Sequence, residues 1–179
     1  MRDLPTIEEI RELLDYNPDT GDLIWRYRDP SMFKDASKAN AWNKRFAGVV
    51  AGGEGVNGYR VVMIRPRLHK AHRLAWAHYY GSWPENMIDH IDGDRKNNSI
   101  SNLRDVTNSA NGKNARISRA NKTGVTGVFW REDIQRWSAY ITSNRKRTYL
   151  GHFVGFDDAV AARKAAEPQN GFHQNHGRA

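Results

Sequence analysis

Asp89 and His90 are adjacent, Asn102 follows His90 by twelve residues, and Asn111 follows nine later. Hydrolysis of a phosphodiester calls for groups of these types. A water must lose a proton beside the phosphorus, and imidazole is the usual base near neutral pH. The leaving oxygen and a nonbridging oxygen need a Lewis acid. A hard divalent cation takes oxygen ligands. The Asp89 carboxylate and the Asn111 amide carbonyl would supply two and leave positions for water and phosphate. Asn102 suits a bracing role, fixing a loop or orienting the imidazole. Against this stands a plainer reading, an Asx-rich, calcium-like or structural loop with His90 satisfied in a turn.

The flanking residues say how such groups would be positioned. Met87-Ile88 leads a short strand into Asp89-His90. Asp92-Gly93-Asp94 forms a tight turn, and Asn97-Asn98 extends the loop. Leu103 to Val106 returns as a second strand, and Thr107 caps a helix carrying Asn111. Two strands and a helix would bring Asp89, His90 and Asn111 into one small cleft.

Elsewhere, Thr6 to Tyr16 reads as a helix. Thr6 is the N-cap, Glu8 and Glu9 sit at the positive end of the dipole, and Ile7, Ile10, Leu13 and Leu14 share a face. A turn at residues 17–22 leads to a short strand, Leu23-Ile24-Trp25. Residues 29–47 read as irregular and 51–58 as a flexible glycine-rich loop. Tyr59 to Ile64 reads as a strand, Arg65-Pro66-Arg67 as a turn and His69 to Tyr80 as a helix. His72 reads as a packing or hydrogen-bonding residue of that helix, and His69, His78 and His152 lack a partner at ligand spacing. Beyond a polar connector, strands are expected at 127–130, 137–142 and 147–150, then an Ala-rich helix over 157–167. The tail from Pro168 is expected to be loose.

The net charge of +8 is unevenly placed. Residues 1–24 carry −5. Residues 111–150 carry +7, from Lys113, Arg116, Arg119, Lys122, Arg131, Arg136, Arg145, Lys146 and Arg147 against Glu132 and Asp133. A basic block of this kind suits a polyanion whose phosphates release counterions on binding. The alternative is a solvated face kept for solubility. The absence of cysteine excludes disulfides and thiolate zinc sites. No run approaches the roughly 18 apolar residues of a membrane span, and the N-terminus lacks a signal peptide's apolar core. The expected location is a reducing cytoplasm, with no membrane partner. Gly52-Gly53-Glu54-Gly55 lacks the Lys and the strand–helix context of a phosphate loop, so no small-molecule cofactor is expected.

The run Asp89-His90-Ile91-Asp92-Gly93-Asp94 with Asn97-Asn98, Asn102-Leu103-Arg104 and Asn111 resembles the HNH, or ββα-metal, nuclease motif. It is most similar to the phage and intron homing type in which the last His is replaced by Asn. His72-Arg73-Leu74-Ala75-Trp76 and the opening around Asp19 to Trp25 share the resemblance. The resemblance implies Asp89 and Asn111 as metal ligands, His90 as general base and Asn102 as a structural brace. It implies a divalent ion, Mg²⁺ or Mn²⁺, and a phage enzyme acting inside a bacterial host. Asn111 departs from the family's name, and a neutral amide should bind metal weakly.

The segments Gly124 to Trp130, Trp137 to Ile141, Tyr149 to Phe153 and Asp157 to Ala162 resemble an AP2-type DNA-binding domain, a three-stranded sheet backed by a helix. Alternation places one side of the sheet on the helix and the other outward. Arg131, Arg136, Tyr140, Arg145 and Arg147 are expected outward, near an exposed Trp130, with Trp137 in the core. A sheet can enter the major groove, where Arg reads guanine and contacts phosphate.

The expected fold is thus α+β: an N-terminal region with an HNH nuclease domain over 1–115 (motif 88–115), a basic linker at 116–123, an AP2-like domain at 124–167 and a flexible tail at 168–179. The expected activity is metal-dependent hydrolysis of double-stranded DNA. One active site per chain makes double-strand cleavage a matter of a DNA-bound dimer or two sequential nicks by a monomer. The competing expectations are a DNA-binding protein with a silent HNH fold and an RNA-directed protein.

Overall fold

The computed structural model describes residues 4–107 and 111–177. It is a mixed α/β chain with several small antiparallel sheets, divided into two compact units, Met1–Asp105 and Val106–Ala179.

The first unit opens with helix α1 (Ile7–Leu13), capped by Thr6, whose Oγ1 accepts the Glu9 amide at 3.2 Å. The helix ends earlier than its apolar spacing predicts. Leu14 turns extended and starts β1 (Leu14–Tyr16), which pairs with β2 (Leu23–Trp25). Leu14 and Tyr16 have a partner strand in β2, and that tertiary pairing overrides helical periodicity. Asn17 Oδ1 accepts the amides of Asp19 and Thr20 in the connecting turn, and Gly21 closes it at φ +79°.

Residues 29–47, expected to be irregular, contain a 3-10 turn at Pro30–Met32 and helix α2 (Ala36–Phe46). Asp35 caps α2 by accepting the Lys38 amide at 2.8 Å. Ala39, Trp42, Asn43 and Phe46 form its inward face at helical spacing, with Trp42 edge-on to Trp25. Asn43 binds both the amide and the carbonyl of Arg28, so this polar side chain is buried without loss of partners.

The glycine-rich segment, expected to be a loop, contributes β3 (Gly53–Glu54). With β4 (Arg60–Ile64) and β5 (Arg67–Lys70) it forms an antiparallel sheet. The chain expected to enter a helix at His69 is therefore still strand there, and α3 spans Ala71–Tyr80. Leu74, Ala71 and Ala77 pack with Ile10, Leu14, Leu23, Val62 and Ile64. On its other side, Ala75 joins Ile88 and Leu103. That second cluster seats β6 (Met87–His90) and β7 (Leu103–Val106), which pair with each other.

In the second unit, β8 (Val128–Arg131), β9 (Arg136–Ser143) and β10 (Lys146–Phe153) form a meander in that order. Helix α4 (Phe156–Gln169) packs on one side through Phe156, Ala159 and Val160. Registers Val128↔Ala139 and Trp130↔Trp137 put those residues on the helix side. Trp130 is therefore not part of the outward set: it is half-buried, 5.3 Å from Trp137. Phe129↔Ser138, Arg131↔Arg136, Tyr140↔Tyr149 and Thr142↔Arg147 define the opposite, outer side. Arg145 sits in the tight β9–β10 turn at φ +63°.

Arg163 of α4 is 2% exposed, donates to the Thr126 carbonyl at 3.0 Å and pairs with Glu167 at 3.2 Å. Its guanidinium lies over Phe172. The residues beyond Pro168, expected to be loose, bind back to the connector. The His173 amide donates to Lys113 and the Gly177 amide to Ala115.

Candidate functional site

β6 delivers Asp89 and His90 at its end, where the backbone turns sharply. The Gly93 amide closes on the His90 carbonyl at 2.9 Å, and Gly93 takes φ +76°. Asp92 is the knot of this loop. Its carboxylate accepts the Asp94 amide, the Asn97 side chain and Asn102 Nδ2. Burial works against the Asp92 charge, yet these hydrogen bonds outweigh it and hold the carboxyl below its ordinary range. Asn102 is 8% exposed. Its Oδ1 accepts the Asp92 amide at 3.0 Å, while Nδ2 also reaches the Asn97 carbonyl at 2.8 Å. Asn102 thus ties both ends of the loop between β6 and β7.

His90 is 3% exposed, and its Nε2 lies 3.1 Å from Asn98 Oδ1. An amide oxygen only accepts, so Nε2 carries the proton and Nδ1 is the basic nitrogen. Burial lowers the His90 pKa, against the opposing pull of Asn98, Asp92, Asp89 and Asp94. The ring is neutral at physiological pH and able to take a proton. Asn98 is itself held, its carbonyl accepting the Tyr16 hydroxyl at 2.8 Å. The N-terminal turn packs directly here, with the Ile100 amide donating to the Pro18 carbonyl.

Two further rings enclose the imidazole. His72 stands 5.1 Å from His90 at a steep angle, and Tyr59 lies 6.0 Å from His90 and 5.1 Å from His72. Lys70 and Arg95 place their charges on the Tyr59 ring at 4.4 and 5.0 Å. Tyr59 does not stand out in the sequence, Asn98 reads there as part of the loop rather than as the partner of His90, and His72 reads as a packing residue. His72 is 4% exposed, and burial, with help from His90, Lys70 and Arg73, pushes its pKa down to about 3. It is neutral in the fold, whereas the unfolded chain protonates it below the ordinary value of 6.5. Its contribution to stability is therefore intact above pH 6.5 and declines as pH falls from there toward 3, by up to about 1.4 kcal/mol per unit. We expect the unfolding free energy of the parent, from urea titration, to fall by about 2 kcal/mol more between pH 6.5 and 4.5 than that of His72→Phe. Parallel losses in the two proteins would refute this.

Asp89 Oδ2 accepts Arg104 Nη2 at 2.7 Å and Nε at 3.0 Å, so the β7 guanidinium holds this carboxylate in place. Asn111 belongs to the second unit. Residues 111–112 are helical and the Asn111 amide donates to the Thr107 carbonyl at 2.9 Å, but residues 108–110 of the expected helix lie outside the described residues. Among the described residues, no three His, Cys, Asp or Glu side chains form a metal cage. The Asp89 carboxylate is a hard oxygen donor, of the kind that suits a divalent ion keeping most of its shell for water and phosphate.

Of the basic residues, Arg116, Arg119, Lys122, Arg136, Arg145, Lys146 and Arg147 are exposed. Arg131 is engaged by Asp133, and Lys113 lies 5.9 Å from the Phe172 ring. Among the described residues, no helix is long and apolar enough to cross a membrane.

Residues 69–113 match the family model for HNH endonucleases, a stretch that contains Asp89, His90, Asn102 and Asn111 as well as His72 and Arg104. The chain is also similar to Protein 3.8 of Escherichia phage T7, at 29% identity over 79 residues. That alignment covers 44% of this chain and 65% of the phage protein. No solved structure matches significantly.

Proposed function

We propose that the chain is a metal-dependent DNA endonuclease of the HNH homing type. The observation that carries this reading is the HNH match over 69–113, together with a buried, neutral His90 beside the Asp89 carboxylate. A divalent ion, Mg²⁺ or Mn²⁺, held by Asp89 and Asn111 would supply Lewis-acid stabilisation of the scissile phosphate. His90 accepts the proton of the attacking water at Nδ1, while Asn98 holds Nε2 and fixes the tautomer. Asn102 keeps the loop closed so that Asp89 and His90 stay in register. Arg104 fixes the Asp89 carboxylate, and Tyr59 and His72 keep water off the inner face of the imidazole.

The second unit would grip duplex DNA in the manner of an AP2-type domain. Arg136, Arg145, Lys146 and Arg147 are exposed around its sheet, and Arg116, Arg119 and Lys122 on the connector are placed to meet phosphates. Domain limits of 1–115, 116–123 and 124–167 remain the proposed functional division, with the phage host cytoplasm as the setting.

Products should carry 5′-phosphate and 3′-hydroxyl ends. The test is to cut end-labelled duplex DNA and offer the fragments to DNA ligase without prior kinase treatment. Religation is the expected result. Fragments that need end repair would contradict the hydrolytic route. DNA binding without cutting, in any divalent metal, would favour a silent HNH fold instead.

A further inference from the structure

We propose that the outer side of the β8–β9–β10 sheet holds a base-stacking site for single-stranded DNA, separate from the hydrolytic centre. It rests on the nuclease reading only in taking DNA as the partner. An open cleft of about 410 Å³ lies against this side, lined by Asn121, Lys122, Thr123, Phe129, Tyr140 and Arg147 among others. Its floor is aromatic. Phe129 and Tyr140 meet edge to face at 5.8 Å, and the Arg147 guanidinium lies 4.2 Å over the Tyr140 ring. Tyr149, the cross-strand neighbour of Tyr140, is 57% exposed.

The polar side chains at the rim are already committed to the loop. Asn121 Oδ1 accepts the amides of Thr123 and Gly124, and its Nδ2 donates to the Val125 carbonyl. Thr123 Oγ1 reaches the Val125 and Val128 carbonyls. The cleft therefore offers the Phe129 ring, a Tyr140 ring with Arg147 over one face, and the cations Lys122 and Arg147, while Asn121 and Thr123 are not free to read base edges. That chemistry selects a flat, unstacked base on an anionic backbone, with little preference for its identity. In a paired duplex the base faces are stacked on one another, so the ligand of this cleft is an unpaired strand, distinct from the duplex that the exposed basic residues would grip.

The test uses the full chain in EDTA, so that loss of cleavage and loss of this site are separate outcomes. Anisotropy is measured with a short fluorescent oligothymidylate and with an abasic strand of equal length and charge. The parent should bind the base-bearing strand about tenfold or more tightly than the abasic one. Phe129→Leu, which keeps apolar bulk but loses the flat ring, should erase most of that difference and leave abasic binding unchanged. Arg147→Gln should weaken both strands. In the parent, a 5-bromouracil strand should photocrosslink to a peptide containing Phe129 or Tyr140, a readout that does not depend on any variant folding. Equal binding of the two strands by the parent, a difference that survives Phe129→Leu, or crosslinks confined to the first unit would each overturn the proposal.

Discussion

Replacing His90 with alanine should lower single-turnover cleavage of duplex DNA by about 10²- to 10⁴-fold, the contribution of a positioned general base. The His90 ring is anchored by Asn98, and His90 ends the strand that carries Asp89. Removing a buried ring also leaves Asn98 Oδ1 without this donor. The comparison therefore includes His90→Gln, whose amide can keep a hydrogen bond to Asn98 but is not basic. Both variants should lose cleavage alike, with DNA affinity close to that of the parent. A loss under tenfold in His90→Gln, with the protein folded by circular dichroism, would show that another group takes the proton.

The second large effect is predicted at Gly21, far from the motif in sequence. A Cβ at Gly21 would fall 2.3 Å from the backbone of Asn98 and Ser99, and the residue takes φ +79°. Gly21→Ala therefore carries both left-handed strain and a backbone-on-backbone collision, together about 3 kcal/mol. Relief requires the 98–99 backbone to move, and that backbone carries the amide that holds His90. Gly48→Ala is the matched control: φ is +78° but nothing stands within 4 Å of the added atom. It should cost only about 1 kcal/mol and leave cleavage unchanged. Equal destabilisation by the two substitutions in urea would mean that the turn does not brace the loop.

The Gly21 contact illustrates what the sequence could and could not reveal about this site. Asp89, His90 and the Asn102 brace are close together in the chain, and their residue types announce their chemistry. Asp92-Gly93-Asp94 and Asn97-Asn98 form a turn and loop by local hydrogen bonding, which is legible without tertiary knowledge. The rings around His90 are not of this kind. Tyr59 and His72 reach the ring from separate elements, and Tyr16 and Pro18 reach the 98–100 backbone beside it; the resemblance marks His72 and the 19–25 opening, but their local pattern does not show that they meet His90. Arg104 is two residues beyond Asn102, yet its pairing with Asp89 follows only from the pairing of β6 with β7.

The same division runs through the fold. The strands and helix of the second unit follow from alternation and an Ala-rich stretch, and the structure places them within a few residues of expectation. An exposed Trp130 beside an outward Arg131 conflicts with strand alternation: neighbours point to opposite faces, so Arg131 outward puts Trp130 on the helix side with Trp137. Helix α2 is hard to read from sequence although Asp35 is a good cap, because Asn43 and the surrounding lysines and arginines mask an inward stripe at helical spacing. The early end of α1 reflects competition between helical spacing and a hairpin partner that only the fold supplies.

The most direct measurement of the central claim is conversion of supercoiled plasmid by the parent, Asp89→Ala and His90→Ala, each with Mg²⁺ and with EDTA. The parent should give nicked or linear product in Mg²⁺ alone, and neither variant should give any. Cutting that persists in EDTA, or that survives both substitutions in Mg²⁺, would contradict a metal-dependent nuclease centred on Asp89 and His90.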